Sequence, residues 1–473
     1  METQKVDLAV IGAGPAGQKG AIQGAKAGMQ VVVVDRLGLL GGSCLNHGTI
    51  PSKTLRRAIL DMTGFVQSAY FGDEPRSAHN ISVEDLRARI SKVIEDENAV
   101  LQRQCEKNGI AIAFGTARFG EAPNTLEVLD SEGQVQQCIE ADKFLIATGS
   151  RPRHPIDLPG DAELFVDSDL VFRLPRLPAS LIVLGGGIIG CEYATMFAAL
   201  GVEVTLMDRR DQLLRMLDGE IGATFGQYIS HLGLKLRMGA SIDQLRKGSD
   251  GLAEVVMADG ETLRAECLFY SMGRVANVEG LQLEKAGVEL DSQGNISANA
   301  LFQTTNPHIY AAGDVIGPPA LASTSMEQGR LAVRNALLLK SHHFPDFFPY
   351  GIYTIPEISS IGPTEQELRE SGVHYEVGRA YYYEIARGPI SGDTSGLIKL
   401  IFHAETLEVL AVHIIGTGAT ELIALGQMAI ALRARVDYFV DNIFNYPTFA
   451  EGFRIAALNG LNKVEGSKAA MWV

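Results

Sequence analysis

The sequence predicts an α/β fold made of two doubly wound modules, followed by a C-terminal α+β domain. Three observations predict it. Apolar strands open into glycine-rich turns and alanine-rich helices. That arrangement occurs twice, in register. Beyond about residue 346 it gives way to paired strands and two helices.

The first copy runs Leu8-Ala9-Val10-Ile11 into Gly12-Ala13-Gly14-Pro15-Ala16-Gly17. The second runs Leu181-Ile182-Val183-Leu184 into Gly185-Gly186-Gly187-Ile188-Ile189-Gly190. Each continues through a helical stretch to a glycine, Gly28 or Gly201, and then to a second strand at 31–34 or 202–207. Both second strands end in an acid followed by arginine, Asp35-Arg36 and Asp208-Arg209. All matched positions differ by one constant offset, without a gap.

Each glycine in such a motif has its own task. The first makes the turn, the second lets a pyrophosphate reach the backbone, and the third lets the helix pack on the strand. The helix N-terminus offers unpaired N–H groups and the positive end of its dipole. The acid accepts hydrogen bonds from a ribose. Two such copies predict two Rossmann-like dinucleotide-binding modules for two different cofactors. Asp208 suits a ribose hydroxyl, while Arg209 and Arg210 suit a 2′-phosphate, so together they fit use of both NAD and NADP.

Further strands follow. Residues 144–152 form an apolar strand ending in the turn Ala147-Thr148-Gly149, and 309–314 form another ending near Asp314. These set expected boundaries: 1–155 for the first module, 156–275 for the second, 276–345 completing the first, and 346–473 for the last domain. Within that last domain, 396–402 and 407–414 are predicted antiparallel strands. Helices are predicted near 418–433 and 448–463.

Composition narrows the partners. The 473 residues carry a formal net charge of −15, which argues against nucleic acid or an anionic membrane. No apolar run approaches the ~20 residues a membrane span needs, and the N-terminus enters a strand without a leader. Cys44, Cys105, Cys138, Cys191 and Cys267 form no C-x-x-C pair and no secreted framework. No metal site and a cytoplasmic location are expected.

The run Gly41-Gly42-Ser43-Cys44-Leu45-Asn46-His47-Gly48-Thr49-Ile50-Pro51-Ser52-Lys53 resembles the active-site segment of the FAD-dependent pyridine nucleotide–disulfide oxidoreductases. That superfamily includes dihydrolipoamide dehydrogenase, glutathione reductase and the soluble transhydrogenases. The resemblance extends over both glycine motifs, Ala147-Thr148-Gly149, Gly273-Arg274, Gly313-Asp314 and the C-terminal domain. In such proteins the last domain forms a homodimer interface, so a homodimer or a higher homo-oligomer is implied.

Two departures matter. The disulfide reductases place a second cysteine where this sequence has Thr49, and threonine cannot form a disulfide. They also use a C-terminal His-Pro-Thr-x-x-Glu, whereas this sequence reads Tyr446-Pro447-Thr448-Phe449-Ala450-Glu451. Tyrosine, with a pKa near ~10, is a poor base at neutral pH. The last residues, 468–473, hold no replacement cysteine. This combination resembles the soluble, FAD-containing, Si-specific pyridine nucleotide transhydrogenases, as does the run 351–362.

The resemblance implies one non-covalent FAD per subunit, with NADPH/NADP and NADH/NAD as substrates. Hydride would pass between them in a ping-pong exchange through FAD and FADH−. It implies cofactor contacts at Gly12, Gly14, Gly17, Asp35, Arg36, Gly42, Cys44, Lys53, Thr148, Gly149, Asp314 and Gly273. In the second module the implied contacts are Gly185, Gly187, Gly190, Asp208, Arg209 and Arg210. Lys53, paired with Glu192, would stabilise reduced flavin, and a helix from about Leu321 would point its positive end at the ring. Arg36 follows Asp35 where FAD has no 2′-phosphate, so an arginine there can be a solvated strand end. Two roles stay open for Cys44: a thiol or thiolate tuning the flavin, or a packed small residue. Tyr446 is expected at an interface and Glu451 bonded within its own domain. An NAD(P)H:acceptor reductase (diaphorase) and a divergent dihydrolipoamide dehydrogenase-like enzyme are the alternatives.

Overall fold

A computed structural model describes residues 3–63, 82–155, 158, 160–340 and 343–464. The run 468–473 lies outside the described residues. The chain divides into two units. One comprises Met1–Leu55, Glu84–His154 and Met272–Phe344, and the other Arg56–Val83, Pro155–Ser271 and Pro345–Val473.

The first unit is built on a parallel sheet. The strand Val31–Asp35 lies between Thr3–Ile11 and Ala111–Phe114. On the other side of Thr3–Ile11 runs the long strand Val135–Ile146. Ile309–Ala311, nearly 300 residues on from the first strand, adds to Val135–Ile146 in parallel. Thr116–Phe119 and Thr125–Leu129 complete the sheet as an antiparallel meander. All five residues of Val31–Asp35 are buried, and four consecutive valines suit a strand covered on both faces. The helix Pro15–Lys26 connects the first two strands and begins with proline at its first turn, where the missing N–H costs nothing. The helix Ala322–Ala336 packs so closely on it that a Cβ at Gly329 would lie 2.0 Å from the Ala16 carbonyl oxygen.

The second unit repeats the plan and adds to it. Lys235–Met238, Glu203–Asp208, Ser180–Leu184, Cys267–Tyr270 and Phe165–Val166 form a parallel sheet in that order. A three-stranded antiparallel sheet, Ile242–Lys247, Ala253–Met257 and Thr262–Ala265, follows. The C-terminal part is a five-stranded antiparallel sheet with helices Ala419–Ala431 and Gly452–Leu461. Its predicted hairpin is Leu397–His403 paired with Val409–Ile415, one or two residues from the expected bounds.

A buried charge cluster joins these parts of the second unit. Lys399, only 1% exposed, donates to Asp218 (2.6 Å) and Glu365 (2.5 Å). Asp218 also caps the helix Gly219–His231 by accepting the Glu220 N–H. Asp218, Glu220 and Glu365 are close enough together to hold a metal, but the Lys399 ammonium already supplies the cation among them. Among the described residues, no helix is long and apolar enough to cross a membrane.

Candidate dinucleotide sites

In the first glycine motif, each glycine meets a different constraint. Gly12 has φ +104°, and a Cβ there would lie 2.4 Å from the Ala147 carbonyl oxygen. A Cβ on Gly17 would lie 1.9 Å from the Gly12 carbonyl oxygen, so only glycine lets the helix start this close to the strand. Gly14 differs. Its φ of −71° is open to any residue, and the nearest atom a Cβ would meet is the Gly42 Cα at 4.0 Å. Nothing among the described residues therefore demands glycine at Gly14. The helix it opens has no side-chain cap, which leaves first-turn N–H groups for an anion.

The acid and the loops frame this turn. Asp35 Oδ2 accepts the Ala13 N–H (2.8 Å) and Oδ1 accepts the Leu37 N–H (2.8 Å). Arg36 is exposed and makes no contact with Asp35 that resembles a pair. The Gly41 N–H donates to the Ala13 carbonyl (2.9 Å), and Gly42, at φ +55°, packs against Gly14. Thr148 Oγ1 donates to the Asn277 carbonyl (2.7 Å) and the Asn277 N–H to the Gly149 carbonyl (2.9 Å). Gly149 and Gly273 both hold positive φ, +68° and +99°.

Cys44 lies in the short helix Gly42–Asn46, and Lys53 in the helix Thr49–Thr63. Burial pushes the Cys44 thiol up, outweighing a hydrogen bond with Thr49 and the charge of Lys53, while Asp314 pushes it further up. Thr49, where the resemblance to the disulfide reductases implies a second cysteine, is thus the hydrogen-bond partner of Cys44. That direction favours the neutral thiol over the thiolate. All five cysteines are free. Lys53 Nζ lies 3.3 Å from Ser52 Oγ.

Asp314 is held by Ser150 and Arg274, which carry no motif role of their own. Its Oδ2 accepts the Ser150 hydroxyl (2.7 Å), and Ser150 Oγ accepts Arg274 Nε (2.7 Å). The only sequence signal was position: Ser150 ends one marker turn and Arg274 follows Gly273. The helix expected from about Leu321 is Ala322–Ala336, and it begins with no side-chain cap.

The second motif repeats the backbone pattern of the first. Gly185 has φ +109°, with a virtual Cβ 2.5 Å from the Ser271 carbonyl oxygen, and a Cβ on Gly190 would lie 1.8 Å from the Gly185 carbonyl oxygen. Gly187 has φ −81°, and a Cβ there would meet nothing within 4 Å. Asp208 Oδ2 accepts the Gly186 N–H (2.6 Å) and Oδ1 accepts the Arg210 N–H (2.8 Å). In addition, the Arg210 guanidinium lies back on Asp208, Nε to Oδ1 at 2.9 Å and Nη2 to Oδ2 at 2.7 Å. Burial alone would raise the Asp208 carboxyl, but the Arg210 and Gly186 donors outweigh it and hold it at about 2. Arg209 is exposed. Of the two arginines expected at a 2′-phosphate, Arg210 lies on the acid and Arg209 does not.

Glu192, buried in the helix Ile188–Ala199, accepts the Tyr353 N–H at 2.8 Å. Arg56, three residues after Lys53, was not singled out from sequence. Its Nε donates to the Thr354 carbonyl (2.9 Å), Nη1 lies 3.6 Å from Glu357, and its charge acts on Glu192. In the C-terminal part, Tyr446 is 70% exposed. One oxygen of Glu451 is buried without a hydrogen-bond partner, so bonding within its own domain does not satisfy that carboxylate.

These features agree with what the chain is similar to. A family profile described as pyridine nucleotide-disulphide oxidoreductase matches residues 6–329, and the profile of that family's dimerisation domain matches 348–457. A soluble pyridine nucleotide transhydrogenase of Mycobacterium bovis is 43% identical over 461 residues, 98% of each chain. One of Vibrio atlanticus is 39% identical, over 97% of this chain and 98% of that one. Among solved structures, LpdA from Mycobacterium tuberculosis aligns with a TM-score of 0.88 at 26% identity, covering 96% of this chain and 99% of that one. The HOCl-induced flavoprotein disulfide reductase RclA from Escherichia coli aligns at 0.85 and 25%, with the same coverage. The chain belongs to the pyridine nucleotide-disulphide oxidoreductase family.

Proposed function

We propose that this chain transfers hydride between NADPH and NAD+, using one non-covalent FAD per subunit and no redox disulfide, in a Si-specific ping-pong exchange. The observation that carries the reading is the Cys44–Thr49 contact. The family's second redox sulfur is replaced by a hydroxyl, so electrons entering from one dinucleotide have another dinucleotide as their exit. The names of full-length relatives support the same activity.

FAD, when bound, supplies the hydride carrier. The first motif would hold its pyrophosphate at Gly14, with Gly12 and Gly17 shaping the turn, Asp35 taking a ribose and Asp314 the ribityl chain. Gly42, Thr148, Gly149 and Gly273 would border it. Lys53 would place a positive charge where reduction adds a negative one. Gly185, Gly187 and Gly190 would hold the exchanging dinucleotide, with Asp208 and Arg209 at its adenosine end. We take 1–155 with 276–345 as the FAD domain, 156–275 as the nicotinamide dinucleotide domain and 346–473 as the dimerisation domain. Exposed Met428, Leu432, Ile443 and Tyr446 suit a buried homodimer face. The proposed compartment is the cytoplasm, where thiols stay reduced.

The test is anaerobic. Purified enzyme is mixed with NADPH and thio-NAD+, with lipoamide and oxidised glutathione run in parallel. Fast thio-NADH formation without disulfide reduction is expected. Flavin reduction without transfer would make the chain a diaphorase. The Cys44→Ser variant is expected to keep more than about a tenth of wild-type turnover, since loss of an essential nucleophile costs many orders of magnitude more; near-total loss would restore a sulfur-based mechanism.

A further inference from the structure

We infer that Arg210 is an internal counter-ion for Asp208, which lets one adenosine site accept either a 2′-phosphate or a 2′-hydroxyl, while Arg209 meets the phosphate directly. The inference rests on the proposed use of both nicotinamide dinucleotides.

The argument is a count of lone pairs. A carboxylate offers about four acceptor positions. Asp35 uses two, for the Ala13 and Leu37 N–H groups. It keeps the rest for a ribose. Asp208 uses the equivalent two for the Gly186 and Arg210 N–H groups. The Arg210 side chain fills the remainder with two further donors. Asp208 therefore has no position for a ribose hydroxyl while Arg210 stays in place.

Charge gives this arrangement its use. A 2′-phosphate brought beside a bare carboxylate meets like-charge repulsion. A guanidinium clamped on the carboxylate cancels that charge. Arg210 has five N–H donors, and two of them face Asp208, so three remain for other acceptors. When a 2′-hydroxyl enters, the guanidinium must give way. It can do so, because its side chain is 45% exposed while Asp208, only 7% exposed, gains the ribose hydroxyl as a donor in its place. Arg209 has no hydrogen bond or ion pair with any of the described residues, which leaves its charge available to a phosphate. The two arginines thus do different work: one screens the acid and the other binds.

The test is flavin reduction by NADPH and by NADH, with Kd and kcat/KM measured on FAD-loaded wild type, R210Q, R209Q, D208N, D208N/R210Q and D208N/R209Q. Results are compared as NADPH-to-NADH ratios, which a general loss of folding does not move. R210Q is expected to lower kcat/KM for NADPH about tenfold or more and to raise it for NADH, because Asp208 is uncovered. Adding D208N is expected to return most of the lost NADPH activity, since a neutral amide needs no counter-ion. R209Q is expected to lower NADPH use without rescue by D208N. An R210Q loss that D208N fails to rescue would overturn the screening role, as would an unchanged ratio in R210Q. If wild type is reduced by only one of the two nucleotides, or by neither, the proposed function falls and the inference with it.

Discussion

In the first module the second glycine is roofed by Gly42, and the strand-end acid keeps open acceptor positions. In the second module the equivalent Gly187 has nothing within 4 Å of a virtual Cβ, and the acid's acceptor positions are filled by the Gly186 N–H and the donors of Arg210. The turn, the helix entry and both backbone donors to the acid are otherwise the same. The difference matches two kinds of ligand. A prosthetic group stays, so its site can be enclosed and its acid can wait for a permanent partner. A substrate leaves at every turnover, so its site must open, and a buried carboxylate there needs an internal partner while empty.

The sharpest way to break this comparison is to close the two turns separately. A methyl at Gly17 or Gly190 would drive into a backbone carbonyl at 1.9 or 1.8 Å, and overpacking of this kind costs about 1–3 kcal/mol. Gly17→Ala is expected to purify without FAD. Gly190→Ala is expected to remain yellow but to lose reduction by NADPH and NADH about a hundredfold or more. If Gly190→Ala loses FAD as readily as Gly17→Ala, the division of labour between the modules is wrong.

Much of this was legible in the sequence because it is local. The spacing of Gly12, Gly14 and Gly17 encodes one backbone path, and the terminal acid lies within reach of that path. The hairpin was found for a similar reason, since two apolar runs joined by a short turn specify it. What was not legible depends on distant residues. Arg274, Ser150 and Asp314 form one hydrogen-bonded line from three separate segments, with no shared periodicity to reveal it. Lys399 reads as a surface residue until the fold places it among three carboxylates. Nor do two adjacent arginines, Arg209 and Arg210, give any sign of which one turns back on the acid.

A gentler test adds a methyl where only a ligand would notice. Gly187 and Gly14 have negative φ and no close neighbour along the virtual Cβ. Alanine at an N-cap costs up to about 1 kcal/mol, so the melting temperature of Gly187→Ala is expected to fall by no more than about 3 °C. Its Kd for NADPH and NADH is expected to rise about tenfold, because the methyl occupies space the pyrophosphate needs. Gly14→Ala should weaken FAD retention instead. Unchanged nucleotide affinity in Gly187→Ala would mean that the pyrophosphate does not lie on this turn.

The smallest effect concerns acid. The folded Asp208 carboxyl sits at about 2, below the roughly 3.9 of an unfolded aspartate. A depressed carboxylate contributes its stability in full above the unfolded value, and loses it as pH falls toward the folded one. The window for Asp208 therefore runs from about pH 4 down to about pH 2. Because Arg210 is nearly half exposed, solvent screening limits the contribution to about 1 kcal/mol or less. Glu279, also held at about 2 by Arg151, is unchanged by a substitution at Asp208 and drops out of a difference between variants. Wild type is thus expected to melt higher than Asp208→Asn at pH 5, by about 2–3 °C, and the two curves should approach each other as pH falls through about 4 and converge at about pH 2 and below, if both remain folded that far. Parallel curves would show that the Arg210 pair contributes nothing to the folded state, and that its work is confined to the choice of nucleotide.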